Sequence, residues 1–237
     1  MRGENDMSKL VWDQEGERKY EAGVDHCVLY RYNSTTSKWE GVAWNGIVSI
    51  TESPEGADET ELWADNMKYG GIRSAEKYKG TIEAYTWPDE FEECDGMGTL
   101  VGHVRVGQQT RKPFRLVYRT KVSTDLDPDA GYKLHLVYGC TCNPSEESHE
   151  TINDNPDAQT YSWDFDTTPV KVTGMKPTSH LEICSLDYAT EPLKALLDGL
   201  EDQLFGRDAT TGTNPVTAIV PNLPDPDDVK DYMTPSP

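Results

Sequence analysis

Histidines, thiols and carboxylates are the side chains of this sequence that could do chemistry, and their spacing argues against it. His26, His103, His135, His149 and His180 are scattered, and none stands in an H-E-x-x-H pair that would hold zinc on one helix face. His103 and His135 fall on predicted strands, where a solvent-facing or hydrogen-bonded imidazole is expected rather than a ligand. Cys27, Cys94, Cys140, Cys142 and Cys184 are odd in number and irregularly spaced. Cys140-Thr141-Cys142 is a lone CxC without a second pair, so reduced thiols are expected, not a disulfide framework or a zinc site. No G-x-S-x-G elbow or phosphate-binding loop occurs, and Gly96, Gly98 and Gly102 miss the dinucleotide fingerprint by one residue.

Asp125, Asp127 and Asp129 have the spacing of the first ligands of a calcium loop. The glycine, Gly131, comes one place late, and Leu136 stands where a bidentate Glu should close the site. An acidic hairpin turn is the better reading. So many acids will place some pair at glycosidase separation by composition alone. Trp44, Trp63, Trp87 and Trp163 could make a sugar-binding platform, although such aromatics more often serve a core or an interface. Residue types and spacing thus supply no catalytic, cofactor-binding or metal residue and point to a protein that is not an enzyme.

The bulk composition agrees. There are 42 Asp and Glu against 22 Lys and Arg, a formal net charge of −20. Such a chain repels phosphate backbones, which disfavours tight nucleic-acid binding. Hydrophobic residues are 35% of the chain, lean for one thick core. Either the fold is thin, or neighbouring subunits complete its apolar surface. Met1 to Asp6 is polar and lacks the apolar stretch of a signal peptide. No window approaches the roughly 18 apolar residues of a membrane span. A soluble protein with no export signal of its own and no membrane partner is expected.

The elements that would position these residues are mostly strands. Residues 1–24 read as a polar N-terminal arm with one anchor, Leu10-Val11-Trp12. Residues 25–206 read as a β domain, with short alternating or β-branched runs between Gly, Pro, Asn and Asp clusters. Phe114–Arg119 and Tyr132–Tyr138 alternate most clearly. They predict an antiparallel hairpin with one buried and one wet face, turning through 125–131. Further strands are expected at His26–Arg31, Gly41–Thr51, Thr81–Trp87, Leu100–Val106, Thr160–Phe165, Val170–Gly174 and His180–Leu186. Many short strands predict an antiparallel β-sandwich or barrel. One flanking helix is expected at about 191–205 (capped by Thr190 and stopped by Gly206), because Leu193, Leu196, Leu197, Leu200 and Leu204 form one stripe. Ser53 to Lys79 is the longest polar loop candidate, and residues 207–237 read as an extended C-terminal tail. Trp12, Trp63, Tyr69 and Ile219 are the expected subunit contacts: Trp63 and Tyr69 on the loop, Trp12 on the arm, and Ile219 in a short tail strand offered to a partner.

Several segments taken together resemble the major tail protein of long-tailed, non-contractile siphophages of Gram-positive bacteria. They are GVAWNGIVSITESPEGADETELWADNMKYG (41–70), GTIEAYTWPDEF (80–91), RLVYRTKV (115–122), YKLHLVYG (132–139) and PSEE (144–147). TIND (151–154), PDA (156–158) and YSWDFDTTPVKVTGMKPTSHL (161–181) follow in order. The resemblance implies a tail-tube fold whose subunits form hexameric rings that stack into a tube, with sheets joining between neighbours. It implies assembly in the host cytoplasm around a tape-measure protein, contact with tail-end proteins, and a place in the virion tail. Double-stranded DNA would pass through without sequence-specific binding. The family has no catalytic, cofactor or metal residues to carry over. An acidic channel wall is expected on this reading, since it avoids the counterion-release adhesion of a basic one. The rival reading is a carbohydrate-binding or adhesin-like β domain. A secreted hydrolase is disfavoured by the missing motifs and signal peptide.

Overall fold

The computed structural model describes residue 10, residues 12–149, residue 151, residues 158–210 and residues 215–235. Val11 of the expected anchor, and the resemblance segments within 152–157, lie outside the described residues. The first strands are β1 (Lys19–Asn33), β2 (Lys38–Ala43), β3 (Ile47–Glu52), β4 (Glu55–Gly56), β5 (Glu59–Ala64), β6 (Met67–Arg73) and β7 (Glu76–Lys77). Next come β8 (Lys79–Ala84), β9 (Gly98–Val101), β10 (Val104–Val106), β11 (Phe114–Thr124), β12 (Gly131–Cys142), β13 (Tyr161–Thr167) and β14 (His180–Cys184). Two helices close the order, α1 (Leu193–Phe205) and α2 (Pro226–Tyr232). The protein is mainly β, and the described strand pairs are antiparallel.

Eight strands form one sheet in the order β2-β1-β11-β12-β13-β8-β3, with β14 also on β12. The sheet curls until β3 meets β1. β12 serves two neighbours along one edge: Lys133–Val137 pair with β14, and Cys140–Cys142 pair with β13. Gly139 makes the change possible. Its φ is +65°, and a Cβ there would stand 2.2 Å from the Thr168 carbonyl oxygen, so glycine is required.

The sheet is buried on both sides, which corrects the expectation of one wet face. Inside the curl, Leu29, Ile82, Phe114, Leu116, Tyr118, Trp163 and Phe165 form one core. Against the outer face, α1 and α2 press Leu197, Leu200, Leu204 and Val229 onto Tyr30, Val117, Leu134, Leu136 and Tyr138. The leucine stripe of α1 therefore packs on a sheet, as its period predicts. Arg115, expected in water, is only 5% exposed. Its guanidinium stacks on Trp39 at 4.2 Å, donates to the Leu223 carbonyl at 3.1 Å and pairs with Asp225 at 2.5 Å. His135, also expected wet, is buried on the inner side.

Other boundaries moved for local reasons. β1 begins at Lys19, inside the expected arm, because Lys19–Ala22 already pair with β11. Gly41–Thr51 is two strands, broken at Trp44-Asn45-Gly46, where Gly46 has φ +80° and the Trp44 indole N–H donates to the Thr86 carbonyl at 2.8 Å. Leu100–Val106 is a hairpin turning at Gly102-His103. Val170–Gly174 is no strand; Val170 makes one bridge to Thr178. The Thr190 side chain does not cap α1, although its carbonyl accepts from Lys194 N–H at 3.0 Å. Gly206, at φ +82°, does end the helix. The described part of the tail is packed: Leu223 and Val229 are buried, and the Leu223 N–H reaches the Trp39 carbonyl at 3.2 Å.

Candidate assembly surface

Ser53–Lys79, expected as a loop, is mostly a β-hairpin over 55–77 that carries its own two-stranded sheets apart from the main one, which Lys79 joins at the start of β8. Strand-forming alternation in Thr60-Glu61-Leu62-Trp63-Ala64 meets a two-residue turn at Asp65-Asn66, with φ of 52° and 60°. Asn and Asp tolerate the left-handed region, and such turns match the twist of the flanking strands. β5 and β6 pair from Glu59↔Arg73 to Ala64↔Met67, with a bulge that leaves Tyr69 unpaired between Lys68 and Gly70.

The register sorts the side chains, because directly opposed residues share a face. Glu59, Glu61, Trp63, Lys68 and Arg73 fall on one side. Lys68 Nζ lies 2.8 Å from Glu59 Oε1 and 2.9 Å from Glu61 Oε1, which raises the Lys68 pKa. The Trp63 indole N–H donates to Glu61 at 3.1 Å. Thr60, Leu62, Ala64, Met67 and Ile72 fall on the other side, and this apolar face lies open. Leu62 is 41%, Met67 63% and Ile72 60% exposed. An isolated two-stranded hairpin is marginal in water, and exposed ion pairs contribute little to it. The hairpin thus presents an apolar face and two unpaired edges that its own domain leaves uncovered among the described residues.

A second flap, β9–β10, also carries exposed aliphatics, with Leu100 70%, Val101 68% and Val104 53% exposed. Its base is tied by Arg105 to Glu92 at 2.5 Å and by Gln109 N–H to the Gly96 carbonyl at 2.9 Å.

Of the four expected contact residues, the structure brings Trp63 and Tyr69 together on the hairpin, both largely exposed. Trp12 is also exposed, on the segment before β1. Ile219 is half-buried, and its backbone already pairs with Arg207 of the same chain, at 2.8 and 3.0 Å. The strand it was expected to offer a partner is used internally. Leu62, Met67 and Ile72 were missed. Their signal was the period-2 alternation on either side of Asp65-Asn66, obscured by Gly70-Gly71 and by the high local charge.

The other candidates resolve differently. Trp44 and Trp163 are buried and Trp87 packs edge-on against Trp163 at 5.5 Å, so these three are core rather than a sugar platform. The 125–131 turn binds its own chain: Asp125 accepts from Gly16 N–H and Asp127 from Asp129 N–H, each at 2.9 Å. Burial pushes the Cys94 thiol up to about 12 and raises Cys27, Cys140 and Cys142 as well, which keeps these thiols un-ionised and unreactive.

One polar cluster was not expected. At the base of the hairpin, Glu52 ends β3 beside His135 of β12 and His180 of β14. It borders an open cleft of about 820 Å³ lined also by Arg73, Tyr78, Pro169 and Lys176. The hydrogen bond from His135, joined by that of Tyr118, outweighs burial and holds the Glu52 carboxyl down at about 2. Burial lowers the His180 pKa.

No family model matches the chain, and no curated protein matches it. Among the described residues, no helix is long and apolar enough to cross a membrane.

Proposed function

We propose that this chain is a structural subunit that polymerises, as stacked rings that the resemblance makes hexameric, into a siphophage tail tube. The observation that carries the reading is the hairpin of residues 55–77. An apolar face flanked by open strand edges invites a second copy to complete it by added strands and buried side chains. The lean composition fits a fold whose apolar surface is finished by neighbours. The net charge of −20 fits a conduit past which DNA slides without adhering. On this reading the partners are further copies of the chain, the tape-measure and tail-end proteins, and transiting double-stranded DNA, and the inner wall of the ring is acidic.

Negative-stain microscopy of the purified full chain tests it. Rings or tubes are expected. Excising residues 57–75, so that β4 and β7 meet in a short turn, should leave folded protein that no longer elongates. Monomers at every concentration would overturn the reading, and monomers that bind glycans would favour the adhesin-like alternative.

A further inference from the structure

Glu52, His135 and His180 bring three donor atoms within 4.8 Å of one another. His135 Nδ1 lies 3.2 Å from His180 Nε2 and 3.4 Å from Glu52 Oε1, and His180 Nε2 lies 3.6 Å from the same oxygen. In tetrahedral coordination with bonds of about 2.0–2.1 Å, neighbouring ligand atoms stand about 3.3–3.4 Å apart. The triangle, with sides of 3.2, 3.4 and 3.6 Å, is within about 0.3 Å of that size.

Hydrogen bonds from outside the triangle orient these atoms. The Thr120 hydroxyl donates to Glu21 Oε2 at 3.1 Å, so at His135 Nε2, 3.0 Å away, it must accept. That places a proton on His135 Nε2 and leaves Nδ1, 3.4 Å from Glu52 Oε1, either to donate to the carboxylate or, once deprotonated, to offer its lone pair to an ion. The Glu52 oxygen is oriented by the Tyr118 hydroxyl. The three donor atoms thus face one another in a site where His135 is only 5% exposed, and a single ion could replace the protons that now lie between them. Outer partners of this kind fix the tautomer and ring angle of metal-bound histidines. The rings are held in series as well: Tyr118 lies along His135 at 4.7 Å and Tyr78 along His180 at 5.1 Å.

We propose that Glu52, His135 and His180 bind one divalent transition-metal ion of the zinc class, through one carboxylate oxygen and two imidazole nitrogens. The mixed N,N,O set suits zinc and its first-row neighbours better than calcium or magnesium, which take oxygen ligands. The ion would join the strand that leads into the hairpin to β12 and β14, fixing the root of the hairpin to the main sheet.

The test is titration of tag-free, metal-stripped full chain with zinc chloride, read by calorimetry and thermal melting. One ion per chain is expected, with a rise in Tm of about 5–10 °C at a hundredfold excess over Kd. His180→Ala, at the more exposed of the two histidines, should fold and lose both signals, as should Glu52→Gln. His149→Ala, altering an exposed histidine near Glu147, should change neither. A cobalt(II) complex with the visible absorption of a tetrahedral site would support the same ligands. No zinc binding by the wild type would overturn the proposal and show that a proton settles the cluster. Binding that survives both ligand substitutions would overturn it too.

Discussion

Replacing Leu62 and Ile72 together by Thr separates a surface used for assembly from one that holds the domain together. Threonine keeps the strand propensity of both positions while removing most of the apolar area. Leu62 is 41% and Ile72 60% exposed, so what remains to be buried amounts to about one whole aliphatic side chain. Burying one such side chain contributes about 1.5–3 kcal/mol. At about 1.4 kcal/mol per tenfold, the concentration at which rings or tubes form should rise roughly 10- to 100-fold. The isolated domain should scarcely respond, because surface substitutions lie within about 0.5 kcal/mol each and together shift Tm by no more than about 4 °C. Concentration-dependent light scattering and sedimentation velocity measure the first quantity, and thermal melting below the threshold measures the second. An unchanged threshold would refute the reasoning. So would a fall in Tm of about 10 °C with assembly intact, since the face would then be packing against its own domain.

Three further outcomes are expected. Gly139→Ala should cost about 3 kcal/mol or more in a urea melt, because the left-handed backbone and the Thr168 carbonyl 2.2 Å from the new Cβ both oppose it. Arg115→Leu should release the segment around Leu223 and Asp225, seen as faster proteolysis after Pro221, since it removes the guanidinium that holds the Leu223 carbonyl and Asp225. Burial acts to raise the Asp25 pKa, but the Arg119 hydrogen bond and charge outweigh it and hold it low. The Asp25–Arg119 pair therefore stabilises the fold above the carboxyl's unfolded pKa of about 4 and loses that contribution as pH falls through the lower folded value. Asp25→Asn should accordingly flatten part of the acid limb of a stability–pH curve.

Local periodicity carried the sequence reading as far as it went. The alternation of Phe114, Leu116 and Tyr118 against that of Tyr132, Leu134, Leu136 and Tyr138 named the central hairpin, and the register follows it from Phe114↔Cys140 to Val122↔Gly131. The leucine spacing named α1, and Gly206 named its end. These features repeat every two or 3.6 residues, so a short window contains the whole signal. Whether the opposite face of a strand is wet depends on what arrives from elsewhere in the chain. Arg115 and His135 looked solvent-facing because nothing nearby in sequence shows that α2 and the tail cover one side and the curled sheet the other. The same holds for the two places where function is proposed. The apolar face of the 55–77 hairpin required the register of β5 on β6, since a one-residue slip would send Leu62 to the charged side. His135 and His180 come from β12 and β14, which pair directly, and Glu52 reaches them from the end of β3, three strands from β12 in the sheet order. Their donor atoms converge within 3.6 Å across separations of 83 and 45 residues, and no spacing along the chain encodes that distance.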